Sequence, residues 1–107
     1  MAAAETRISR EIQVALSDTC VLVRSPAGLF YADKTGRRPV RVLVNGWPDL
    51  TGWRRSDGRM VLIEVKTATG RVSMEQARLI DLARAAGCLA GVARSVEDAW
   101  EIVSGGE

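Results

Sequence analysis

The fold follows from the stretch Met60-Val61-Leu62-Ile63-Glu64-Val65-Lys66, an apolar run that ends in a carboxylate and an ammonium. Its β-branched composition and the turn residues Asp57-Gly58 before it predict a strand over 60–66. Side chains alternate across a strand, so positions 61, 63 and 65 share one face and positions 60, 62, 64 and 66 share the other. One face is therefore wholly apolar, and on the other Glu64 and Lys66 project side by side at the strand end.

A hairpin extends this pattern to the preceding strand. Asp57-Gly58 is typical of a two-residue hairpin loop. The register that such a loop imposes pairs Thr51 with Glu64 and Asp49 with Lys66. Asp49 then lies on the same face as the other two charged residues, so three charged groups converge at one end of a hydrophobic sheet.

The rest of the chain alternates helical and strand-like segments. Apolar residues at helical spacing, and a capping pattern at Ser73-Met74-Glu75-Gln76, predict helices over 5–16 and 73–87 and a last helix after Ser95. Apolar or β-branched runs bounded by turn residues predict strands over 20–23, 29–32, 40–44, 49–53, 60–66 and 89–93. This order predicts an α/β fold, a mixed sheet flanked by helices, in a single domain over 1–107.

The composition narrows the possible chemistry. The 107-residue chain is 47% hydrophobic and 26% charged, the balance of a globular protein, and its net charge of +2 does not by itself indicate a nucleic-acid partner. It has no histidine, which excludes imidazole zinc sites and Ser/His/Asp triads. Cys20 and Cys88 stand in apolar settings at strand starts, as buried thiols of a reducing compartment do. With no segment typical of a secretion signal or a membrane span, we expect a cytoplasmic protein.

Asp49, Glu64 and Lys66 are the candidate catalytic residues. Two carboxylates with room for water form a hard oxygen site suited to Mg²⁺ or Mn²⁺, which can activate water and neutralise charge on a phosphodiester. Lys66 can hold or help to deprotonate that water, or stabilise the pentacovalent phosphorus. The alternative is a cross-strand salt bridge, which contributes little at a surface. The addition of Asp49 to the Glu64–Lys66 pair favours the catalytic interpretation.

The order and spacing of several segments resemble the VRR-NUC domain, a branch of the PD-(D/E)XK nuclease superfamily. The segments are Gly46-Trp47-Pro48-Asp49-Leu50, then Ile63-Glu64-Val65-Lys66, then Gly70-Arg71-Val72-Ser73 with Gln76. The resemblance runs over about 11–103 and is weakest over 25–44. It implies a restriction-endonuclease-like fold, with an αβββαβ core plus a C-terminal helix.

The resemblance also implies an activity and its residues. Asp49 and Glu64 would bind the metal together with the backbone carbonyl of Val65, and Lys66 would be the catalytic lysine. Standalone members of the family imply a homodimeric Mg²⁺- or Mn²⁺-dependent endonuclease that cleaves branched DNA such as four-way (Holliday) junctions.

Two helical residues match further positions of the family. Glu11 matches an acidic residue of the first helix and is expected at the metal, although such a residue more often lies at the solvent edge of an amphipathic helix. Gln76 matches a catalytic-site glutamine. A glutamine in a capping box also bonds back to the Ser73 amide, so both roles of Gln76 stay open.

Nucleic-acid contacts are expected from arginines, each with a solvated surface as the alternative. The candidates are Arg71, Arg37, Arg38 and Arg41. Trp47 and Trp53 flank Asp49, where packing is the expected role and base stacking requires an exposed ring.

Two other functions stay open at this point. A non-catalytic nucleic-acid-binding module of the same fold would bind in a salt-dependent way and be indifferent to EDTA. A structural or partner-binding domain would show no shift of its melting temperature with metal or DNA.

Overall fold

The computed structural model describes residues 3–25, 28–31 and 39–105. Its helices are α1 (Ala3–Ala15), α2 (Met74–Ala85) and α3 (Val96–Val103). Its strands are β1 (Cys20–Arg24), β2 (Gly28–Tyr31), β3 (Pro39–Leu43), β4 (Leu50–Arg54), β5 (Met60–Val65) and β6 (Leu89–Ala93). The elements follow the predicted order, with ends that differ by a residue or two.

The central sheet has the strand order β1-β4-β5-β6. β1, β4 and β5 pair antiparallel, and β6 joins β5 in parallel because α2 forms the crossover between them. The predicted mixed α/β sheet is therefore confirmed, and α1, β1, β4, β5, α2 and β6 give the αβββαβ order, followed by α3. β2 and β3 form a separate antiparallel pair, inserted in the sequence between β1 and β4.

One face of the sheet, called the closed face here, packs against α1 and α3. Val61, Ile63 and Val65 of β5 are fully buried on it, as alternation predicts. They belong to one apolar core with residues of the two helices, namely Ile12, Leu16, Ala99 and Val103. The closed face is thus sealed from solvent along β5.

The opposite face, called the open face here, is covered by α2 over part of its area. Leu62 of β5 packs there with Ile80 of α2 and Ala90 of β6. Away from α2, three apolar side chains remain accessible: Val23 is 57% exposed, Trp53 50% and Met60 40%. Glu64 also lies on this face.

The β4–β5 hairpin has a longer loop than the sequence predicts. Leu50 pairs with Ile63, and the Arg54 N–H donates to the Arg59 carbonyl at 2.8 Å, so the loop comprises residues 55–58. The predicted pairing of Asp49 with Lys66 is therefore wrong by two positions, and the ladder extends to put Asp49 opposite Glu64. A shift of two residues keeps every side chain on its predicted face.

Arg54 accounts for this loop. Its guanidinium donates to the Asp57 carboxylate at 2.6 Å and to the carbonyls of Val103 and Gly105 at 2.7 and 2.9 Å. The hydrogen bond from Arg54, followed by one from the Arg59 backbone, lowers the pKa of Asp57 to about 2. Asp57 is thus recruited by a tertiary contact and does not serve as the first residue of a two-residue turn.

Two glycines permit close approaches near the end of β4. Gly46 has φ +84°, and a Cβ on it would lie 2.6 Å from the Glu75 carbonyl oxygen in the first turn of α2. A Cβ on Gly52 would lie 1.7 Å from the Val21 carbonyl oxygen of β1. The segment that leads into Asp49 is thereby held against α2, and β4 is held against β1.

Cys20 is buried, Cys88 is half-buried, and both are free thiols. Burial raises the pKa of Cys20.

Within the described ranges, no helix has the length and apolar character needed to cross a membrane.

Candidate functional site

Asp49 is held by backbone on both sides of β4. Its Oδ2 accepts a hydrogen bond of 2.9 Å from the Val65 N–H of β5. Its own carbonyl accepts one of 2.7 Å from the Ser25 N–H, just after β1. The side chain thus continues the β4–β5 ladder by one step, so its carboxylate is fixed beside the end of β5.

Glu64 is the buried acid of the site, only 2% exposed. Its Oε1 accepts a hydrogen bond of 3.0 Å from Gln76 Nε2 and lies 3.7 Å from Lys66 Nζ. Its Oε2 is buried without a hydrogen-bond partner. A buried carboxylate oxygen without a partner is costly unless a proton or a cation compensates it.

The environment of Glu64 favours its protonated form. Burial, then the charge of Asp49 and the hydrogen bond that a protonated Glu64 makes to Asp49, raise the pKa of Glu64 from 4.5 to about 8, against the lowering effect of Lys66. With both carboxylates ionised, Oε2 has no donor; once protonated, Glu64 can donate to Asp49. Two carboxylates that compete for one proton form a ready site for a cation.

Gln76 makes both of the contacts that its sequence left open, one within the capping box of α2 and one to the buried Glu64. Its Oε1 accepts from the Ser73 N–H at 2.9 Å and its backbone N–H donates to Ser73 Oγ at 3.1 Å, which completes the capping box of α2. Because the cap uses the amide oxygen, the amide nitrogen faces Glu64. The N-terminus of α2 thereby orients the buried carboxylate.

Lys66 follows β5 directly and is largely enclosed, with its side chain 15% exposed. Its N–H donates to the Ala93 carbonyl at 3.1 Å, so the parallel pairing with β6 extends to this residue. The next loop is held by Arg94, whose Nη1 donates to the carbonyls of Thr67 and Gly70 at 2.6 and 2.7 Å. Sequence reasoning missed Arg94, and only its position at the end of a strand beside β5 could have indicated it.

The structure does not bring Glu11 to this cluster. Glu11 is exposed, whereas Ser9 and Ile12 are buried, so the inward stripe of α1 runs through residues 5, 9, 12 and 16. Glu11 lies about a third of a turn from that stripe at 100° per residue. On α1, the charge of the half-buried Glu5 adds to the raised pKa of Glu64, after the larger effects of burial and Asp49. Because Ser9 is polar, the sequence pattern of apolar residues did not show that it lies at the centre of the buried stripe.

The predicted nucleic-acid contacts lie in different parts of the chain. Arg71 is exposed in the loop after Lys66. Arg37 and Arg38 lie outside the described residues, and Arg41 is in β3, whose side chains are outside them as well. The two tryptophans differ: Trp47 packs against the apolar cluster under α2, and Trp53 is half exposed.

Comparison with known proteins agrees with this architecture. The family model of the VRR-NUC domain matches residues 23–97, most of the chain. The chain belongs to the VRR-NUC domain family. A solved structure described as a VRR_NUC domain superposes with a TM-score of 0.65 and 18% identity over 96% of this chain and 97% of that one, which shows the shared fold. No curated protein matches the chain.

Membership of the VRR-NUC family makes this a nuclease-type domain and implies a divalent metal. Asp49 and Glu64 offer oxygen ligands, and Oε2 of Glu64 is the buried atom that lacks a partner. The Val65 carbonyl projects from the same strand edge as its N–H, which already reaches Asp49. Within the described part of the chain, no group of three or more His, Cys, Asp or Glu side chains is placed to hold a metal ion. Two carboxylates suffice for Mg²⁺, which retains several water ligands, so the residues fit the group.

Proposed function

We propose that this chain is a Mg²⁺- or Mn²⁺-dependent endonuclease that hydrolyses DNA phosphodiester bonds at Asp49, Glu64 and Lys66. The observation that carries the proposal is the Oε2 atom of Glu64, buried without a partner in a site shared with Asp49. A salt bridge between Glu64 and Lys66 alone would not require the second carboxylate, nor leave this oxygen uncompensated.

Asp49, Glu64 and the Val65 carbonyl would hold the ion. When bound, the ion supplies Lewis-acid activation of water and neutralises charge on the phosphate. In the hydrolysis, water adds to phosphorus, one ester P–O bond breaks, and a proton passes to the leaving oxygen.

The remaining residues position the Glu64 carboxylate and the DNA strand, and neutralise charge on the phosphate. Gln76 holds Oε1 of Glu64, which leaves Oε2 as the ligand atom. The Lys66 ammonium, beside the same carboxylate, is placed to stabilise negative charge that develops on the phosphoryl oxygens. Arg71, exposed on the next loop, supplies a phosphate contact that helps to position the strand. The roles of Arg37, Arg38 and Arg41 stay predictions.

We further propose branched DNA, such as a four-way junction, as the preferred substrate and a homodimer as the active form. A chain with one site of this kind cleaves one strand at a time, whereas a two-fold pair addresses two strands of a branched duplex. The two free thiols, Cys20 and Cys88, suit the cytoplasm as the compartment.

The test is cleavage of labelled linear, flapped and four-way DNA with and without Mn²⁺. Lys66→Ala should lower the rate about 100- to 1,000-fold, as expected for loss of one group that stabilises transition-state charge. Arg10→Ala is the matched control, because Arg10 is an exposed cation on α1, and it should stay within about threefold of wild type. Undiminished cleavage by Lys66→Ala would contradict the proposal, and sedimentation velocity of the same samples tests the homodimer.

A further inference from the structure

The open face carries an aromatic ring on the same side of the sheet as the proposed active site. Alternation along β4 places positions 49, 51 and 53 on this face, and positions 60, 62 and 64 of β5 lie opposite them. Trp53 pairs with Met60 of β5 and with Val21 of β1. Asp49 and Trp53 are therefore separated only by the length of β4, about 13 Å at 3.3 Å per residue.

The surface around Trp53 is small, apolar and accessible. α2 covers Leu62, which is 3% exposed, whereas Trp53 is 50% exposed and its neighbour Met60 is 40% exposed. Half of a tryptophan side chain is roughly 75–125 Å² of accessible area, and Met60 and Val23, which is 57% exposed, extend this apolar surface. A stable protein interface needs about 800 Å² on each partner. The area suits a flat ligand of the size of a nucleobase better than a second copy of the chain.

We propose that Trp53 is a stacking platform for an unpaired nucleobase of the DNA strand whose phosphate occupies the active site. This rests on the proposed function and deepens it, because it names the feature of DNA that the site selects. Any of the four nucleobases can stack on an aromatic ring. Within a duplex, however, both faces of the base are already covered by its neighbours. A strand that keeps the stacked spacing of 3.4 Å per nucleotide covers the separation of about 13 Å in about four nucleotides, and a more extended unpaired strand covers it in fewer. Among branched DNAs, those with unpaired nucleotides within a few positions of the scissile phosphate, such as flaps, should therefore bind most tightly.

The experiment compares binding of flapped DNA and fully paired duplex of the same sequence, in EDTA so that no cleavage occurs. Trp53→Leu should weaken binding of flapped DNA about tenfold and leave the duplex affinity unchanged, because leucine keeps the apolar surface and removes the stacking ring. Trp53→Phe should stay within about threefold of wild type, which also shows that the fold tolerates substitution there. Trp100→Leu is the matched control, since Trp100 on α3 is 38% exposed.

A second readout reports on the ring directly. In a Trp47→Phe/Trp100→Phe background, Trp53 is the only tryptophan, and its fluorescence should be quenched by flapped DNA and not by duplex. Equal loss of affinity for both DNAs in Trp53→Leu, or no loss, would overturn the proposal. So would a change from dimer to monomer with unaltered DNA affinities, which would assign this face to a second copy. Absence of cleavage by wild-type protein in Mn²⁺ would count against the proposed nuclease function and leave these binding outcomes to judge stacking separately.

Discussion

The two faces of the central sheet differ in what the same strand, β5, contributes to them: core packing on the closed face and the candidate site on the open face. On the closed face, β5 presents Val61, Ile63 and Val65, all fully buried under α1 and α3. On the open face, the same strand presents Leu62 under α2, then Glu64 in the site, with Met60 exposed at the other end. Burial on one face supplies stability, which permits the other face to keep a costly buried carboxylate and an accessible aromatic surface.

The largest expected difference between the faces is in stability. Ile63→Ala should lower the free energy of unfolding by about 2–5 kcal/mol, because it leaves a cavity in a sealed core. Met60→Ala should cost below about 1 kcal/mol, since Met60 on the same strand is 40% exposed. Urea unfolding of both variants measures the two values. Similar losses would show that the open face is covered in solution and would end the distinction between the faces.

A second expected effect is the pH dependence of stability that Glu64 causes. Its pKa is raised from 4.5 to about 8, so between these pH values the folded protein binds more protons at this group than the unfolded chain. The free energy of unfolding of the metal-free protein should therefore fall as pH rises through this window, by at most about 1.4 kcal/mol per pH unit from this group. Above about pH 8 the contribution should level off.

Glu64→Gln tests this dependence, because the amide keeps the shape and cannot ionise. Thermal unfolding between pH 5 and 9, measured in EDTA, should show a weaker decline for the variant than for wild type. Mg²⁺ should stabilise the wild type increasingly as pH rises toward about 8, since binding requires the ionised carboxylate. The same pH slope in variant and wild type would place the titrating group elsewhere.

Local patterns predicted which residues share a face, but not how the strands meet. Two-residue alternation depends on the strand alone, so the faces of β5 agree with the structure. The β4–β5 loop depends on Arg54, which bonds Asp57 and the distant carbonyls of Val103 and Gly105. No local rule for Asp-Gly turns contains that contact. Asp49 still lies on the same face as Glu64, because a register error of two residues preserves the face.

For the acidic residues of α1, the local pattern did not predict which side of the helix is buried. A stripe inferred from apolar residues alone was displaced toward Glu11, because Ser9 is polar in sequence and fully buried in the structure. Glu5 could have been considered from its spacing of seven residues before Ile12, a separation that returns to the same side of a helix. The packing partner of a helix, and hence the side it buries, is a tertiary property.

The smallest expected effect separates the two roles of Gln76. Ser73→Ala removes the bond from the Gln76 N–H to Ser73 Oγ and leaves the Gln76–Glu64 bond in place, so it should cost about 1 kcal/mol of stability and change activity by less than about twofold. Gln76→Glu keeps an acceptor for the Ser73 N–H but removes the donor to Glu64 and adds a negative neighbour. Its activity in saturating Mn²⁺ should fall about tenfold, near 1.4 kcal/mol, with little loss of stability. Unfolding curves and initial cleavage rates for both variants separate the two roles. If Ser73→Ala lowers activity as much as Gln76→Glu, the site depends on the N-terminus of α2 as a whole. The amide contact of Gln76 with Glu64 then has no separate part in orienting the carboxylate.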